Sequence, residues 1–378
     1  MKLFKVLFLL SLFLTVNILG QSFKFVIMSD SRGEYNGVNQ PVLSVFANDI
    51  AENHKDVKFV IFAGDMIDGN RNNPDKTYNE LMNWRKVMSP IYNSPNMIWP
   101  KVWPAVGNHE IQSRFDEDIF RKVFPDVFAN GPADEKGLAY SFDYQNTHFQ
   151  IFDTDRWDFG DISDTTDDKP GWHTIKNMDW IEKDLAAAKA RGIKHIFTVS
   201  HEMAFPTGGH MRDGIPNLGK HLKLPLDSTQ IAHLALRDKF WNLQKKYDVD
   251  AHLCGHEHTY ARQSVDGVFE ILAGSAGAPL YYPNPKFGEK GKTNLFWHEF
   301  SYEEAIPYYK ALKYNYGPGK NSQKSKDFIT RRAFNYVIIS VDGNSASATT
   351  YGIYPQKNTN DKIRKNYKIK VIDSFKIK

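Results

Sequence analysis

Five short polar clusters, each directly after an apolar run, carry residue types that bind metals. Carboxylate, amide oxygen and imidazole together form a ligand set for divalent ions such as manganese, iron or zinc. In the last cluster His256 and His258 are two residues apart, so in an extended chain both point to the same side. Asp65 has two carboxylate oxygens and could bridge a metal pair roughly 3.5–4 Å apart. The candidate residues of these types in the clusters are Asp30, Asp65, Asn108, His109, His201, His256 and His258.

The apolar runs before these clusters predict the elements that position them. They are short and rich in valine, isoleucine and phenylalanine, which is typical of buried strands. The runs are 25–28, 59–62, 102–106, 195–199 and 249–254. Several are separated by helix-like stretches, at 42–54, 78–88, 179–190 and 231–247. This alternation predicts a layered α/β architecture with a largely parallel sheet, and ligands bind beyond the carboxyl ends of such strands. We therefore expect all the candidate ligands along one edge of one sheet.

Later strands, at 148–152, 269–273, 336–341 and 346–351, predict a second, more antiparallel sheet, because no clear helices separate the last of them. The alternating end of the chain, 367–378, predicts a half-buried edge strand. Two segments look irregular and could shape substrate access: a loop at 157–172 and an insertion or cap at 281–332. No stretch resembles a linker between domains. We therefore predict one catalytic domain over residues 21–378, ending in strands at 334–378.

Residues 1–20 have the pattern of a secretory signal peptide. Lys2 and Lys5 precede a nearly continuous apolar run that is short for a membrane span. We expect a secreted or periplasmic protein with no stable membrane span once this segment is removed. An uncleaved amino-terminal anchor is the alternative, because Ile18 and Gly20 stand where small residues are usual at a cleavage site.

Composition narrows the choice of partners and of redox chemistry. The chain of 378 residues is 41% hydrophobic and 24% charged, which is ordinary for a soluble globular enzyme. Its net charge of +4 is small and gives no indication of a nucleic-acid partner. The single cysteine, Cys254, allows no intrachain disulfide, and its apolar surroundings predict a buried core residue.

Taken together, the five clusters resemble the calcineurin-like metallophosphoesterases, which include the purple acid phosphatases. The resemblance runs from about residue 23 to residue 280. In the order of that family, the matching segments are Asp30-Ser31-Arg32, Gly64-Asp65, Gly107-Asn108-His109-Glu110, His201 and Gly255-His256-Glu257-His258. The resemblance implies an α/β/β/α sandwich of two mixed β-sheets flanked by helices. It also implies hydrolysis of a phosphate mono- or diester, a small-molecule substrate, by metal-activated hydroxide at a site with two divalent or trivalent metal ions.

The resemblance further assigns a role to each matching residue. It implies that one metal is held by Asp30, Asp65 and His258. It implies that the other is held by Asp65, Asn108, His201 and His256. His109 would act as a general acid or electrostatic stabiliser beside the phosphate, with Glu110 orienting it.

Arg32 is the main departure from the family pattern. The family usually has a ligating histidine there, and a guanidinium cannot ligate a metal. Purple acid phosphatases compensate with a tyrosine at the position of Asp68, so Asp68 is either a replacement ligand or a turn residue before Gly69. Arg32 either binds the substrate phosphate or forms a salt bridge that holds its loop. A weakened first site leaves an alternative function open: a non-catalytic or single-metal binding module on the same fold.

His210 follows the fourth motif and leaves two interpretations open. It could approach the substrate phosphate, or it could be a histidine of a surface loop.

Overall fold

The computed structural model describes residues 22–70, 73–113, 115–155, 175–207, 210, 214–215, 225–281 and 328–378. The signal peptide expected at 1–20, the loop expected at 157–172 and most of the insertion expected at 281–332 lie outside these residues. The single catalytic domain over 21–378 and the secreted or periplasmic location stay predictions.

The first β-sheet contains six strands of mixed direction. They are β1 Ser22–Met28, β4 Val57–Ala63, β5 Val102–Ala105, β13 Phe334–Asp342, β14 Ser345–Ile353 and β15 Lys370–Lys376. Their spatial order is β15-β14-β13-β1-β4-β5. The three strands β1, β4 and β5 are parallel, and β13 to β15 continue the sheet in antiparallel pairs. Two very short strands, β2 Arg32–Gly33 and β3 Gly37–Val38, pair with each other beside it.

The second β-sheet contains seven strands and is also mixed. They are β6 Tyr140–Tyr144, β7 Thr147–Ile151, β8 His195–Val199, β9 Ala251–Cys254, β10 Tyr260–Val265, β11 Val268–Ala273 and β12 Phe328–Arg331. Their order is β12-β10-β11-β9-β8-β7-β6. The central strands β7, β8, β9 and β11 are parallel, and the outer pairs are antiparallel.

In the described part of the chain, six helices cover the outer faces of the sheets. They are α1 Gln40–Asn53, α2 Pro74–Val87, α3 Ser89–Tyr92, α4 Asp116–Val123, α5 Met178–Ala190 and α6 Ser228–Lys246. Residues of α1 to α4 pack on the first sheet, and residues of α5 and α6 pack on the second. The longest helix, α6, begins with a capping box in which Asp227 and Gln230 satisfy each other's backbone N–H groups.

The alternation of β1 shows how the layers are held together. Phe25 and Ile27 point into the space between the two sheets, whereas Val26 points to the helices. Phe25 meets Phe149 and Phe197 of the second sheet, with ring centroids 4.9 and 5.2 Å apart. Side chains of both inner faces therefore interdigitate in one aromatic-rich layer. The expected α/β/β/α sandwich of two mixed sheets is confirmed.

Two expectations about the sheets are wrong. The strands before the candidate ligands belong to both sheets, because β1, β4 and β5 lie in the first and β8 and β9 in the second. The strands at 334–342 and 345–353 extend the first sheet and do not form a separate one. An apolar run shows that a strand is buried on both faces, but it does not show which strand is its neighbour.

Candidate metal centre

Two aspartates follow the parallel strands β1 and β4 in an unusual backbone conformation. Asp30 has φ of 55° and Asp65 has φ of 54°. Such left-handed conformations are uncommon for residues other than glycine and cluster at functional sites. The two loops support each other, because Asp30 N donates to Gly64 O at 3.0 Å and Ser31 N donates to Asp65 O at 2.8 Å. Both carboxylates are buried and held at the same end of the first sheet.

Glu110 fastens the loop after β5 to the Asp65 loop. Its Oε2 accepts hydrogen bonds from Asp65 N at 2.8 Å and Gly107 N at 2.9 Å. Its Oε1 accepts from Met66 N at 2.8 Å. The carboxylate thus contacts backbone amides, and its role in orienting the His109 ring stays a prediction.

The second sheet presents three histidines after β8 and β9 to these loops. His201 Nε2 lies 3.1 Å from Asn108 Oδ1, 3.2 Å from His256 Nδ1 and 3.3 Å from Asp65 Oδ1. Donor atoms around a tetrahedral metal with bonds of about 2.1 Å are about 3.4 Å apart. The three distances from His201 Nε2 are therefore close to the spacing of donor atoms that share one ion.

The outer ring nitrogens of two histidines fix which nitrogen faces the centre. His201 Nδ1–H donates to Ala63 O at 2.8 Å, and His258 Nδ1–H donates to Pro279 O at 2.8 Å. In each neutral ring the lone pair is then on Nε2. His258 Nε2 lies 3.6 Å from Asp30 Oδ1. This buried oxygen has no hydrogen-bond partner in the described structure, and a metal ion is a fitting partner for it.

The electrostatics of the centre favour a bound cation. Burial raises the pKa of Asp30 to about 7. Burial also acts to raise the pKa of Asp65, but His201 and the other cationic groups nearby hold it below its ordinary value. Burial alone would lower the pKa of His201, but Asp65 and Asp30 outweigh it and raise that pKa to about 10. The carboxylates that attract a proton to His201 would equally attract a metal ion.

His109 and Arg32 lie beside the second oxygen of Asp65. His109 Nδ1–H donates to Asp68 O at 2.7 Å, and its Nε2 lies 3.9 Å from Asp65 Oδ2. Arg32 Nε lies 3.8 Å from Asp65 Oδ2, and Nη1 lies 3.6 Å from Asp68 Oδ1. These Arg32 contacts are ion pairs longer than hydrogen bonds. The Asp68 side chain is half exposed, and its role as a replacement ligand stays a prediction.

Several contacts around the centre have no signal in the sequence motifs. The Tyr281 ring stacks on His258 with centroids 4.4 Å apart, and its hydroxyl lies 3.0 Å from His210 Nε2. His210 is buried, with its ring 4.0 Å from that of His256, so the interpretation of a surface-loop histidine is wrong. Glu257 accepts hydrogen bonds from Thr207 N and His210 N, at 2.8 and 3.0 Å, and so ties their loop to the last motif.

Among the described residues, two groups at this centre each have three potential donor atoms within 4.8 Å of one another. One group is Asp30, Asp65 and His201, and the other is His201, Glu202 and His256. A further such group, His252, Cys254 and Glu270, lies in the core of the second sheet. There His252 pairs with the hydroxyls of Thr198 and Ser200. Cys254 is buried, as its apolar surroundings predicted. Among the described residues, no helix is long and apolar enough to span a membrane.

Comparisons with known proteins bear on the family and the fold of this chain. In sequence, acid phosphatase type 7 of Homo sapiens is 28% identical over 205 residues, which cover 53% of this chain and 40% of that protein. The match therefore spans less than half the length of this relative.

In structure, a purple acid phosphatase from yellow lupin (Lupinus luteus) seeds aligns with a TM-score of 0.56 and 15% identity, over 94% of this chain and 53% of that one. A dimetal phosphatase from Danio rerio aligns with a TM-score of 0.53 and 12% identity, over 94% of this chain and 98% of that one. At these identities, the two structural matches show a shared fold and nothing more.

The sequence model of the calcineurin-like phosphoesterases matches residues 23–260, the segment that carries all five motifs. The resemblance drawn from the motifs is thus confirmed, and the chain belongs to the calcineurin-like phosphoesterase family.

Proposed function

We propose that this chain hydrolyses phosphate monoesters or diesters at a centre of two metal ions. The observation that carries the proposal is the set of donors around His201 Nε2, at 3.1 to 3.3 Å, with the ring nitrogen fixed by Ala63 O. Family membership supports phosphoester hydrolysis, and the dimetal phosphatase fold supports two ions. The first ion would be held by Asp30, Asp65 and His258. The second would be held by Asp65, Asn108, His201 and His256.

The donor types fit manganese, iron or zinc. When bound, such ions would neutralise charge on the phosphate oxygens and lower the pKa of water. Asp65 would be shared by the two ions, because its Oδ1 lies 3.3 Å from His201 Nε2 and its Oδ2 lies on the side of Arg32. The six candidate ligands come from loops that are tied to one another by backbone hydrogen bonds and by the Glu110 carboxylate, so the centre is organised before the substrate arrives.

We expect His109 to give a proton to the leaving group. Because its Nδ1–H is held by Asp68 O, its Nε2 carries a proton only when the ring is a cation. Burial and the nearby Arg32 lower the pKa of His109 from its ordinary value. The proton-donating form is therefore expected on the acid side of neutrality.

His109→Gln should lower kcat by about 100-fold or more, the usual contribution of a positioned general acid. Hydrolysis by the parent should fall as pH rises through the pKa of His109, and the variant should lack this fall. A pH–rate profile of both proteins checks the expectation. The same profile in parent and variant would show that His109 is not the proton donor.

Arg32→His restores the usual residue of the family at this position. If Arg32 binds substrate, the variant should hold the first metal more tightly but show a kcat/KM about tenfold lower or worse, since a charge-assisted contact to phosphate contributes about 1.5–3 kcal/mol. Metal titration and steady-state kinetics on one preparation measure both. An increase in both metal affinity and kcat/KM would instead show that Arg32 only weakens the first metal site and does not bind substrate.

The most informative test is a panel of phosphate mono- and diesters, assayed with metal-free protein reloaded with manganese, iron or zinc. We expect metal-dependent hydrolysis of at least one class of ester. Tight metal binding without hydrolysis of any ester would favour the non-catalytic module.

A further inference from the structure

The three imidazoles of the centre differ in the group that holds their outer nitrogen. His201 and His258 each donate Nδ1–H to a neutral backbone carbonyl and turn Nε2 to the centre. His256 is reversed. Its Nδ1 lies 3.2 Å from His201 Nε2, and its Nε2 lies 3.4 Å from the carboxylate oxygen Oε2 of Glu202. The outer partner of His256 is thus a charged group.

The backbone of Glu202 is held in this position by two hydrogen bonds. The residue is fully buried, its N–H donates to Thr154 Oγ1 at 3.2 Å, and its carbonyl accepts from Ser200 Oγ at 2.7 Å. A buried carboxylate is costly unless a donor or a cation compensates it. His256 Nε2 lies 3.4 Å from Glu202 Oε2, an ion-pair contact that falls short of hydrogen-bond geometry.

A carboxylate does more for a ligating histidine than a carbonyl does. Both fix the tautomer, but the negative charge also makes the ring a stronger donor to the metal. A neighbouring charge acts in the opposite direction at the first site. The Arg32 guanidinium lies 3.8 Å from Asp65 Oδ2, and its positive charge repels a metal cation. The two sites therefore differ in net charge as well as in ligand number.

We propose that Glu202 is a positioning residue that orients His256 and makes the second metal site the tighter of the two. This inference rests on the metal centre of the proposed function and adds which of its two sites binds metal more tightly. Glu202 lies within 4.8 Å of His201 and His256, so direct ligation is the competing role. The approach of its oxygen to Nε2, the nitrogen turned away from His201, favours positioning.

Titration of the metal-free protein with Zn²⁺ and Co²⁺ tests the proposal. The parent should show a tight and a weaker class of site. Glu202→Gln keeps the shape of the side chain but removes its charge, and should weaken the tight class about 10–100-fold. The affinity of the weaker class should change less than threefold. The Co²⁺ absorption spectrum should indicate the same coordination number as in the parent.

Glu270→Gln is the matched control. Glu270 is also a buried carboxylate, and it accepts hydrogen bonds from Ala204 N at 2.7 Å and Phe205 N at 3.1 Å in the loop that follows Glu202. This variant should lower thermal stability and leave both metal affinities unchanged. Equal weakening of the tight class in both variants would mean that loop stability, and not the contact with His256, sets the affinity.

A measurement on the parent alone covers the case in which Glu202→Gln does not fold. Ring ¹⁵N shifts of the Zn²⁺-loaded protein should show the proton on Nε2 for His256 and on Nδ1 for His201 and His258. Four results would each overturn the proposal. Two concern the parent: the opposite tautomer at His256, or no uptake of metal. The other two concern Glu202→Gln: a metal affinity equal to that of the parent, or a Co²⁺ spectrum that shows the loss of a ligand. A parent that binds metal in this order but hydrolyses no ester would contradict only the proposed function.

Discussion

Asp65→Asn should abolish hydrolysis and leave the fold intact. The carboxylate is the one shared ligand of the proposed pair of ions, with Oδ1 3.3 Å from His201 Nε2 and Oδ2 on the Arg32 side. Asparagine has the same shape and tolerates the left-handed backbone at this position, where φ is 54°. We expect kcat to fall by more than about 100-fold, which is at least the effect of removing one preorganised electrostatic contact.

The control for this variant is Asp266→Asn. Asp266 has a similar φ of 51° but an exposed side chain that pairs with Lys245. It should keep parental kinetics and metal content. Kinetics, metal content and thermal unfolding of both variants make the comparison. Activity of Asp65→Asn within about tenfold of the parent would rule out the bridging role.

Gly107→Ala should damage the centre through a steric clash alone. A Cβ at this position would lie 2.4 Å from Asp65 N and 2.5 Å from Asp65 Oδ1, distances that real Cβ atoms essentially never show. The clash would push Asp65 away from His201 and disturb the Glu110 hydrogen bonds that hold the two loops together. We expect at least about a 100-fold loss of kcat, because small misplacements of reacting groups have effects of that size.

Gly267→Ala separates this clash from the general cost of replacing glycine. Gly267 has φ of 87° and no atom within 4 Å of an added Cβ. Its replacement should lower the free energy of unfolding by about 1 kcal/mol and leave metal binding unchanged. Metal titration and urea unfolding of both variants make the test. Parental metal affinity in Gly107→Ala would show that the loops can move apart without harm to the centre.

The sequence was sufficient to predict the strands that precede the candidate ligands. Short apolar runs that end in Asp30, Asp65 or His201 identify strand ends, and strand ends are where ligands gather in α/β folds. The division of these strands between two sheets was not predictable. It depends on pairings such as β1 with β13, which join residues more than 300 positions apart, and periodicity does not specify partners over that distance.

The contacts that hold the ligands were even less visible in the sequence. Glu257 stands between two motif histidines, and alternation alone predicts that it points away from the metals. The structure shows that it binds the loop at Thr207 and His210. Tyr281 belongs to no motif and reaches His258 only because the segment after β11 folds back over the last motif. Such residues act through three-dimensional packing, so spacing carries no signal for them.

Metal content is the most direct test of the central claim, that this chain holds two ions for phosphoester hydrolysis. Metal-free protein can be incubated with manganese, iron or zinc, separated from free ions by gel filtration and analysed by mass spectrometry for metal per chain. We expect close to two equivalents, with hydrolysis returning as the second equivalent binds. A fully folded chain that retains no metal, with or without substrate present, would contradict the claim.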